Sequence, residues 1–316
     1  MSKVAFVFPG QGSQSIGMGH DFYEHPTARR VFDVFDRLVA ANLSQVCFHG
    51  PEEELRRTLF TQPAILATSI AALELFRERS GLQPHVLAGH SLGEYGAHYA
   101  AGVISLETAA QLVKRRSELM ENAPKGAMSA VLGLSGDAVA QVVSAYDREA
   151  EAVIAVANYN TDNQTVISGA VDAVAEVSLR LKEAGAKRVM PLPVGGAFHS
   201  PLMQPAAASF AGFLSDFNFH NASVPVITNV DAALTTEASE IRLKLGQQID
   251  GSVRWTQTMA RLVNECGVDT VIEFGPGKVL TGMFKKTFPE LRVLNVLDMA
   301  SLEDVLAQLG ACLANV

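Results

Sequence analysis

The run Gly89-His90-Ser91-Leu92-Gly93 sets a hydroxyl between two glycines, directly after the apolar residues Val86-Leu87-Ala88. A strand, then Gly-x-Ser-x-Gly, then a helix is the pattern of a nucleophile elbow. In so sharp a turn, side chains larger than glycine at 89 and 93 would collide. The turn presents the Ser91 hydroxyl at the end of a sheet. It also leaves the Leu92 N–H at a helix N-terminus, where it can face an oxyanion. A tight turn with a bystander serine would use the same five residues, so the chemistry depends on what else the chain brings to Ser91.

A serine nucleophile needs a base. Of the eight histidines, His90 is adjacent in sequence, but at an elbow its side chain points away. His199 lies in VGGAFHSPLM, after two glycines and before Ser200-Pro201, which read as an N-cap and the first helical position. A loop at the end of a strand is where open α/β sheets gather their chemistry, and a nearby helix N-terminus favours the neutral imidazole that a base requires. The alternative is a surface loop histidine. Hydrolases with this elbow supply an acid between the serine and the histidine. Asp137, Asp147 and Asp172 fall in that interval, but none stands at a strand end. A backbone carbonyl or an amide is the other way to orient the ring.

Arg116 carries the sharpest signal. On a helix from about Leu106 to Asn122, Ala109, Leu112, Val113, Leu119 and Met120 share one apolar face, and Arg116 falls in the middle of it. A guanidinium on a buried face is costly unless an anion meets it. The anion is either an internal Asp or Glu or the carboxylate of a substrate, held by two parallel hydrogen bonds. A plain esterase has no use for such a clamp; a transferase of a dicarboxylic half-ester does. Gln11, between two glycines after the first apolar run, reads as a donor to an oxyanion or as a plain turn residue. A dinucleotide loop is disfavoured, because no Gly-x-Gly-x-x-Gly is present.

These groups need a scaffold. Apolar runs at 4–8, 86–88, 224–229 and 270–274 read as strands. Helical patterns follow or separate them at about 63–76, 92–101, 106–122, from 201, and at 241–249 and 256–266, with a further helix after Gly275-Pro276-Gly277. Strands alternating with helices predict a mostly parallel sheet covered on both faces. Between them, strands at 127–134, 153–157, 164–169 and 188–194 with helices at 136–149 and 173–184 give the order β-α-β-β-α-β, that of a ferredoxin-like unit. The expected fold is therefore an α/β-hydrolase-like catalytic subdomain formed by residues 1–125 and 195–316, with a ferredoxin-like small subdomain at 126–194.

Composition narrows the partners. The 316 residues are 48% hydrophobic and 18% charged, with a net charge of −8 and a pI of about 5.5. No basic field or motif for nucleic acid is present. Cys47, Cys266 and Cys312 make no metal pattern and cannot all pair, which predicts a reduced, cytoplasmic setting. No metal or resident cofactor is expected. The apolar run before Pro9 is too short for a signal peptide, and no stretch reads as long enough to span a membrane.

Taken together, FPGQGSQ at 8–14, TQPA at 61–64, GHSLGEY at 89–95, KRRSELM at 114–120, GAFHSPLM at 196–203, VPVITNV at 224–230 and EFGPGKVL at 273–280 resemble the malonyl-CoA:acyl carrier protein transacylases and the related polyketide synthase acyltransferase domains. The resemblance runs nearly end to end. It implies that Ser91 is the acylated nucleophile, His199 its base and Arg116 the binder of the malonyl carboxylate. Gln11 and the Leu92 N–H would form the oxyanion hole. In GQQIDGSVRW the family's glutamine, whose carbonyl holds the histidine, corresponds to Gln248. Phe198 resembles the malonyl-selective version of its motif. The implied substrates are malonyl-CoA and the phosphopantetheine thiol of an acyl carrier protein, for fatty acid or polyketide synthesis. An acyl hydrolase editing carrier proteins, or a silent docking subunit of a synthase, are the competing readings. The chain departs from the family at Gly251-Ser252, often Asn-Pro, which predicts a looser Gln248 loop, and at Gly96-Ala97. Lys278, Lys285 and Lys286 are the expected docking patch for an acidic carrier.

Overall fold

A computed structural model of the protein describes residues 2–40, 42–150 and 153–313, apart from the side chains of 147–150 and 311–313; the side chains of Asp147 and Cys312 thus lie outside the described residues. Ten strands are present among these: β1 (Val4–Phe8), β2 (Val86–Gly89), β3 (Ala127–Leu132), β4 (Ile154–Thr161), β5 (Gln164–Gly169), β6 (Arg188–Pro191), β7 (Val226–Ile227), β8 (Leu234–Thr235), β9 (Thr270–Phe274) and β10 (Arg292–Val296). They form two sheets. The larger runs β10-β9-β1-β2-β7-β8, parallel except for β8, which is antiparallel to β7 at the edge.

The centre of that sheet follows from the sequence Val-Ala-Phe-Val-Phe. All five residues of β1 are buried, as a strand covered on both faces requires. Val4, Phe6 and Phe8 enter one hydrophobic core, and Ala5 and Val7 the other. The first core is dominated by helix Thr58–Ser80, which sets its Phe76 ring edge-on against Phe6 and Phe274. By length and composition this helix could cross a membrane, contrary to the sequence expectation, but 89% of its most apolar 18-residue window is buried inside the fold. Its apolar composition follows from that burial: up to Phe76 almost every residue is surrounded by protein.

The smaller sheet has the order β4-β5-β3-β6 and is antiparallel throughout. Helices Gly136–Ala150 and Val171–Glu183 supply the crossovers, giving the expected β-α-β-β-α-β order. Val131, Ile154, Val156 and Ile167 pack under these helices in a core of their own, while Met128, Ala130, Ala157 and Val166 join the large core. The outer edge of β4 is not free. Val253 pairs with it, donating its N–H to Ala157 O at 2.8 Å and accepting from the Tyr159 N–H at 2.9 Å.

Two expectations change. The strand predicted at 224–229 is reduced to Val226–Ile227, because the polar residues that follow are used elsewhere: the Thr228 hydroxyl donates to Asp231, and the Asn229 side chain turns toward the serine elbow. Ser200 does precede a short 3-10 turn that starts at Pro201, but its hydroxyl donates back to Ala197 O at 2.6 Å instead of capping. Helices Pro26–Leu38 and Leu43–His49, strand β10 and helix Met299–Leu313 complete the layers beyond the elements that periodicity singles out.

Helix Gly93–Ala100 touches the sheet with no side chain in between. A Cβ on Gly93 would lie 2.0 Å from Phe8 O, and one on Gly89 would lie 2.0 Å from the Gly93 carbonyl. Gly93→Ala should therefore cost about 2 kcal/mol or more, the scale of overpacking against unyielding backbone. Gly212→Ala, in helix Gln204–Leu214 with open space around it, should be neutral or stabilising by up to about 1 kcal/mol. Urea unfolding midpoints of the two variants would separate them.

Candidate active site

Ser91 follows β2 with φ 49°, in the left-handed region that a side chain seldom occupies. Two amide side chains hold it there. Asn229 Oδ1 accepts from the Ser91 N–H at 2.6 Å, while Asn229 Nδ2 donates to Gly89 O at 2.7 Å. Gln248 Nε2 donates to Ser91 O at 2.9 Å, and the Glu94 N–H begins the helix by donating to the same oxygen. His90 points away, as the elbow requires: its Nε2 lies 2.8 Å from Asn160 Oδ1 on β4, and its ring meets Trp255 edge-on.

His199, also in the left-handed region at φ 57°, reaches Ser91 from the other side of the cleft. Its Nε2 is 2.8 Å from Ser91 Oγ. Its Nδ1 lies 2.9 Å from Gln248 O and 3.0 Å from Gly251 O. Two carbonyl oxygens accept only, so Nδ1 carries the proton and Nε2 is free to receive the one from Ser91. Among the described residues no carboxylate contacts His199. Burial pushes the His199 pKa down to about 3, and the positive charge of Arg116 adds to the effect against the two carbonyls. Burial is the main source of this neutrality, with a neighbouring cation adding to it.

The loop that holds His199 is tied down more firmly than its Gly251-Ser252 sequence predicts. Gly251 N donates to Gln247 O at 3.0 Å, and a Cβ on Gly251 would lie 2.6 Å from that oxygen. The Ser252 hydroxyl donates to Val156 O at 2.6 Å and Thr256 Oγ1 to Tyr159 O at 3.1 Å, both on β4. The small sheet therefore fixes the carbonyls that orient the base.

Arg116 is 1% exposed. Among the described residues no carboxylate lies within ion-pairing distance of it. Its Nη1 donates to Gln62 Oε1 at 2.6 Å, and its Nη2 to Ser91 Oγ at 3.0 Å and Gln248 Oε1 at 3.1 Å. Its carbon Cζ is 5.6 Å from the Tyr95 ring centroid, and its Nε has no hydrogen-bond partner. A full charge is thus met by neutral groups at the nucleophile itself, which leaves it able to receive an anion. The internal Asp or Glu alternative is not what the structure shows.

Gln11 is partly buried beside the elbow. Gly10, its neighbour, approaches the His90 carbonyl so closely that a Cβ would lie 2.6 Å from the oxygen. Neither Gln11 nor the Leu92 N–H has a hydrogen-bond partner among the described residues. Phe198 is buried next to His199, with Gly196 against its ring. Asp137 and Asp172 open the two helices of the small sheet and take no part in holding His199. Three groups escaped the sequence reading. Gln62 sits in the quoted TQPA motif and Asn229 in VPVITNV, yet nothing in their local pattern marks an amide aimed at the elbow. Glu94 lies inside the elbow helix, whereas acids were sought between Ser91 and His199 at strand ends.

Comparison with known proteins identifies the family. The acyl transferase domain family model matches residues 5–306. A malonyl CoA-acyl carrier protein transacylase of Bacillus subtilis is 46% identical over 307 residues, covering 96% of both chains. That of Escherichia coli K12 is 38% identical, covering 98% of this chain and 99% of its own. A solved acyl carrier protein S-malonyltransferase from Vibrio cholerae superposes with a TM-score of 0.92 at 41% identity, over 96% of this chain and all of the other. So does, at 38% identity and TM-score 0.92, a malonyl-transacylase in complex with its type II polyketide acyl carrier protein; the match covers 97% of this chain and 100% of that one. With a family model matched almost end to end and relatives this similar over their full lengths, the chain belongs to the acyl transferase domain family, among the malonyl CoA-acyl carrier protein transacylases.

Proposed function

We propose that the protein transfers malonyl from malonyl-CoA, through an ester on Ser91, to the phosphopantetheine thiol of an acyl carrier protein. The product supplies chain extension in fatty acid or polyketide synthesis. The observation that carries this reading is the buried, carboxylate-free Arg116 donating to the nucleophile oxygen. An acyl hydrolase of simple chains would leave that charge unused, and a silent docking subunit would need neither it nor the Ser91–His199 contact. A cytoplasmic setting fits the free thiols of Cys47 and Cys266.

In the first half-reaction the acyl carboxylate lies on Arg116, whose Nη2 is already beside Ser91 Oγ. His199 Nε2 takes the Ser91 proton as Oγ bonds to the thioester carbonyl carbon. The Leu92 N–H, with Gln11, receives the negative charge on the carbonyl oxygen. The intermediate expels the CoA sulfur, which takes the proton from His199. In the second half-reaction the carrier thiol gives its proton to His199 and attacks the ester carbonyl; Ser91 leaves and recovers its proton. The paired carbonyls of Gln248 and Gly251 stabilise the transient imidazolium and keep the ring in place.

Intact mass after mixing with malonyl-CoA tests the reading. Ser91→Ala should form no malonyl adduct, and Arg116→Ala should lose malonyl acylation while keeping or gaining acetyl acylation from acetyl-CoA. Equal losses for both acyl groups would make Arg116 structural and remove the clamp.

The His199 pKa, pushed from 6.5 down to about 3, fixes a pH signature. A lowered value keeps the base neutral in acid, so kcat/KM for acylation, which reports the free enzyme, should stay flat from pH 8 to about pH 5. An acid limb near 6.5 would contradict it. His199→Ala should reduce acylation by about a hundredfold or more. The same shift makes the folded state lose stability as pH falls from 6.5 toward 3, where the unfolded histidine binds a proton and the folded one does not.

Carrier docking is assigned to exposed Lys278, Lys285 and Lys286, at and along helix Val279–Thr287. The Gly277 turn beside Lys278 abuts Ser13, on the segment that follows Gln11, and Lys285 and Lys286 continue the basic surface along the last turn of the helix. Lys285→Glu with Lys286→Glu should slow malonyl transfer to the carrier and spare acylation by malonyl-CoA, with a defect that shrinks in salt. Separate half-reaction rates would show it.

A further inference from the structure

Beneath the elbow lies a carboxylate that touches neither Ser91 Oγ nor His199. Glu94 is 1% exposed. Its Oε2 accepts from Gln248 Nε2 at 2.7 Å and from the Asn229 N–H at 3.1 Å, and its Oε1 is 3.3 Å from the buried His98 Nε2. Among the described residues no lysine or arginine pairs with it. The mechanism above makes no use of this group.

Its importance follows from what Gln248 must do. That one residue gives His199 its carbonyl, Ser91 O an amide hydrogen and Arg116 Nη2 an acceptor. The last two tasks need opposite ends of the same amide, so they are met in only one of its two orientations. Rotated by half a turn, the amide would aim its NH2 at the guanidinium and its oxygen at Ser91 O. Neither Ser91 O nor Arg116 can move to follow, since both are held by other bonds. A third group enforces the same orientation, the acceptor at 2.7 Å on the NH2 side. The same oxygen also fixes the Asn229 backbone, whose side chain holds the Ser91 N–H.

We propose that Glu94 is a positioning residue for acyl selection: its Oε2 locks the Gln248 amide with Oε1 toward Arg116, and so aims the guanidinium that receives the acyl carboxylate. The proposal rests on the reading of Arg116 as that receiver. What the amide orientation needs is an acceptor oxygen at the right reach; the Glu94 charge, which also favours the charged form of Arg116, is not required for it. Glutamine at 94 can place a carbonyl oxygen where Oε2 stands and turn its NH2 toward His98. Aspartate keeps the carboxylate but withdraws it by one methylene, leaving the Gln248 NH2 unpartnered in a buried site.

The test sets Glu94→Gln against Glu94→Asp, with acylation of Ser91 by malonyl-CoA and by acetyl-CoA measured on each. Glu94→Gln should keep the native malonyl-to-acetyl ratio within about threefold. Glu94→Asp should lower the ratio by about tenfold, the scale of one buried hydrogen bond to a charged group, mainly through the KM for malonyl-CoA. The reverse ranking, an unchanged ratio in both variants, or malonyl and acetyl falling together would overturn the proposal. Arg116→Ala in the same assay separates the two readings. If it fails to discriminate the acyl groups, the clamp itself is wrong; if it discriminates and the Glu94 variants do not, only the role of Glu94 falls.

Discussion

A guanidinium buried with no carboxylate in ion-pairing contact, among the described residues, is the constraint around which this molecule is arranged. Taking Arg116 out of water costs several kcal/mol unless most of its N–H groups find partners, and here Nη1 and Nη2 are both drawn on by the surroundings while Nε is not. Here the partners are the amides of Gln62 and Gln248, the Ser91 hydroxyl and the face of Tyr95, drawn from widely separated parts of the chain. Bringing them together requires the long buried helix that carries Gln62, the elbow that carries Ser91 and the segment after helix Ala238–Gln247 that carries Gln248. An internal carboxylate would have solved the burial problem more simply. It would also have occupied the position that an acyl carboxylate needs.

The same economy explains a base without an acid. A carboxylate on His199 Nδ1 would bring a negative charge close to the anion that we propose Arg116 holds. Two carbonyls orient the ring equally well and add no net charge. The price is a strongly depressed imidazole, since burial and Arg116 both disfavour the imidazolium. In the proposed reaction an acyl carboxylate on Arg116 would offset the second of these effects at the moment the base is called on.

Much of this was legible in the sequence, for reasons that differ by residue. Ser91 is announced by glycines that backbone contact demands, and Arg116 by a charge on an apolar helical face. Strand β1 and the β-α-β-β-α-β order follow from local periodicity. Gln248 could be reached only through the family resemblance. Asn229 and Gln62 remained hidden because an amide in a loop or helix has no periodic signature; their roles exist only once the sheet brings them to the elbow. Glu94 was overlooked because hydrolase logic looks for the acid beside the histidine, whereas here it lies beneath the serine. The looser loop expected from Gly251-Ser252 did not appear, since Ser252 gains a partner on β4 that sequence alone cannot supply.

That attachment to β4 has a bearing on how such enzymes can be taken apart. The small sheet looks like an insert that could be exchanged between relatives to alter the choice of acyl group. Yet Val253 is effectively an extra strand on its edge, and Ser252, Thr256 and His90 are bonded to residues of the same strand. A graft cut at the ends of the insert would sever the carbonyl loop from the strand that steadies it. The transplantable unit is instead discontinuous, the small sheet together with 251–256, and a chimaera that moves one without the other would pair a base with a foreign mount.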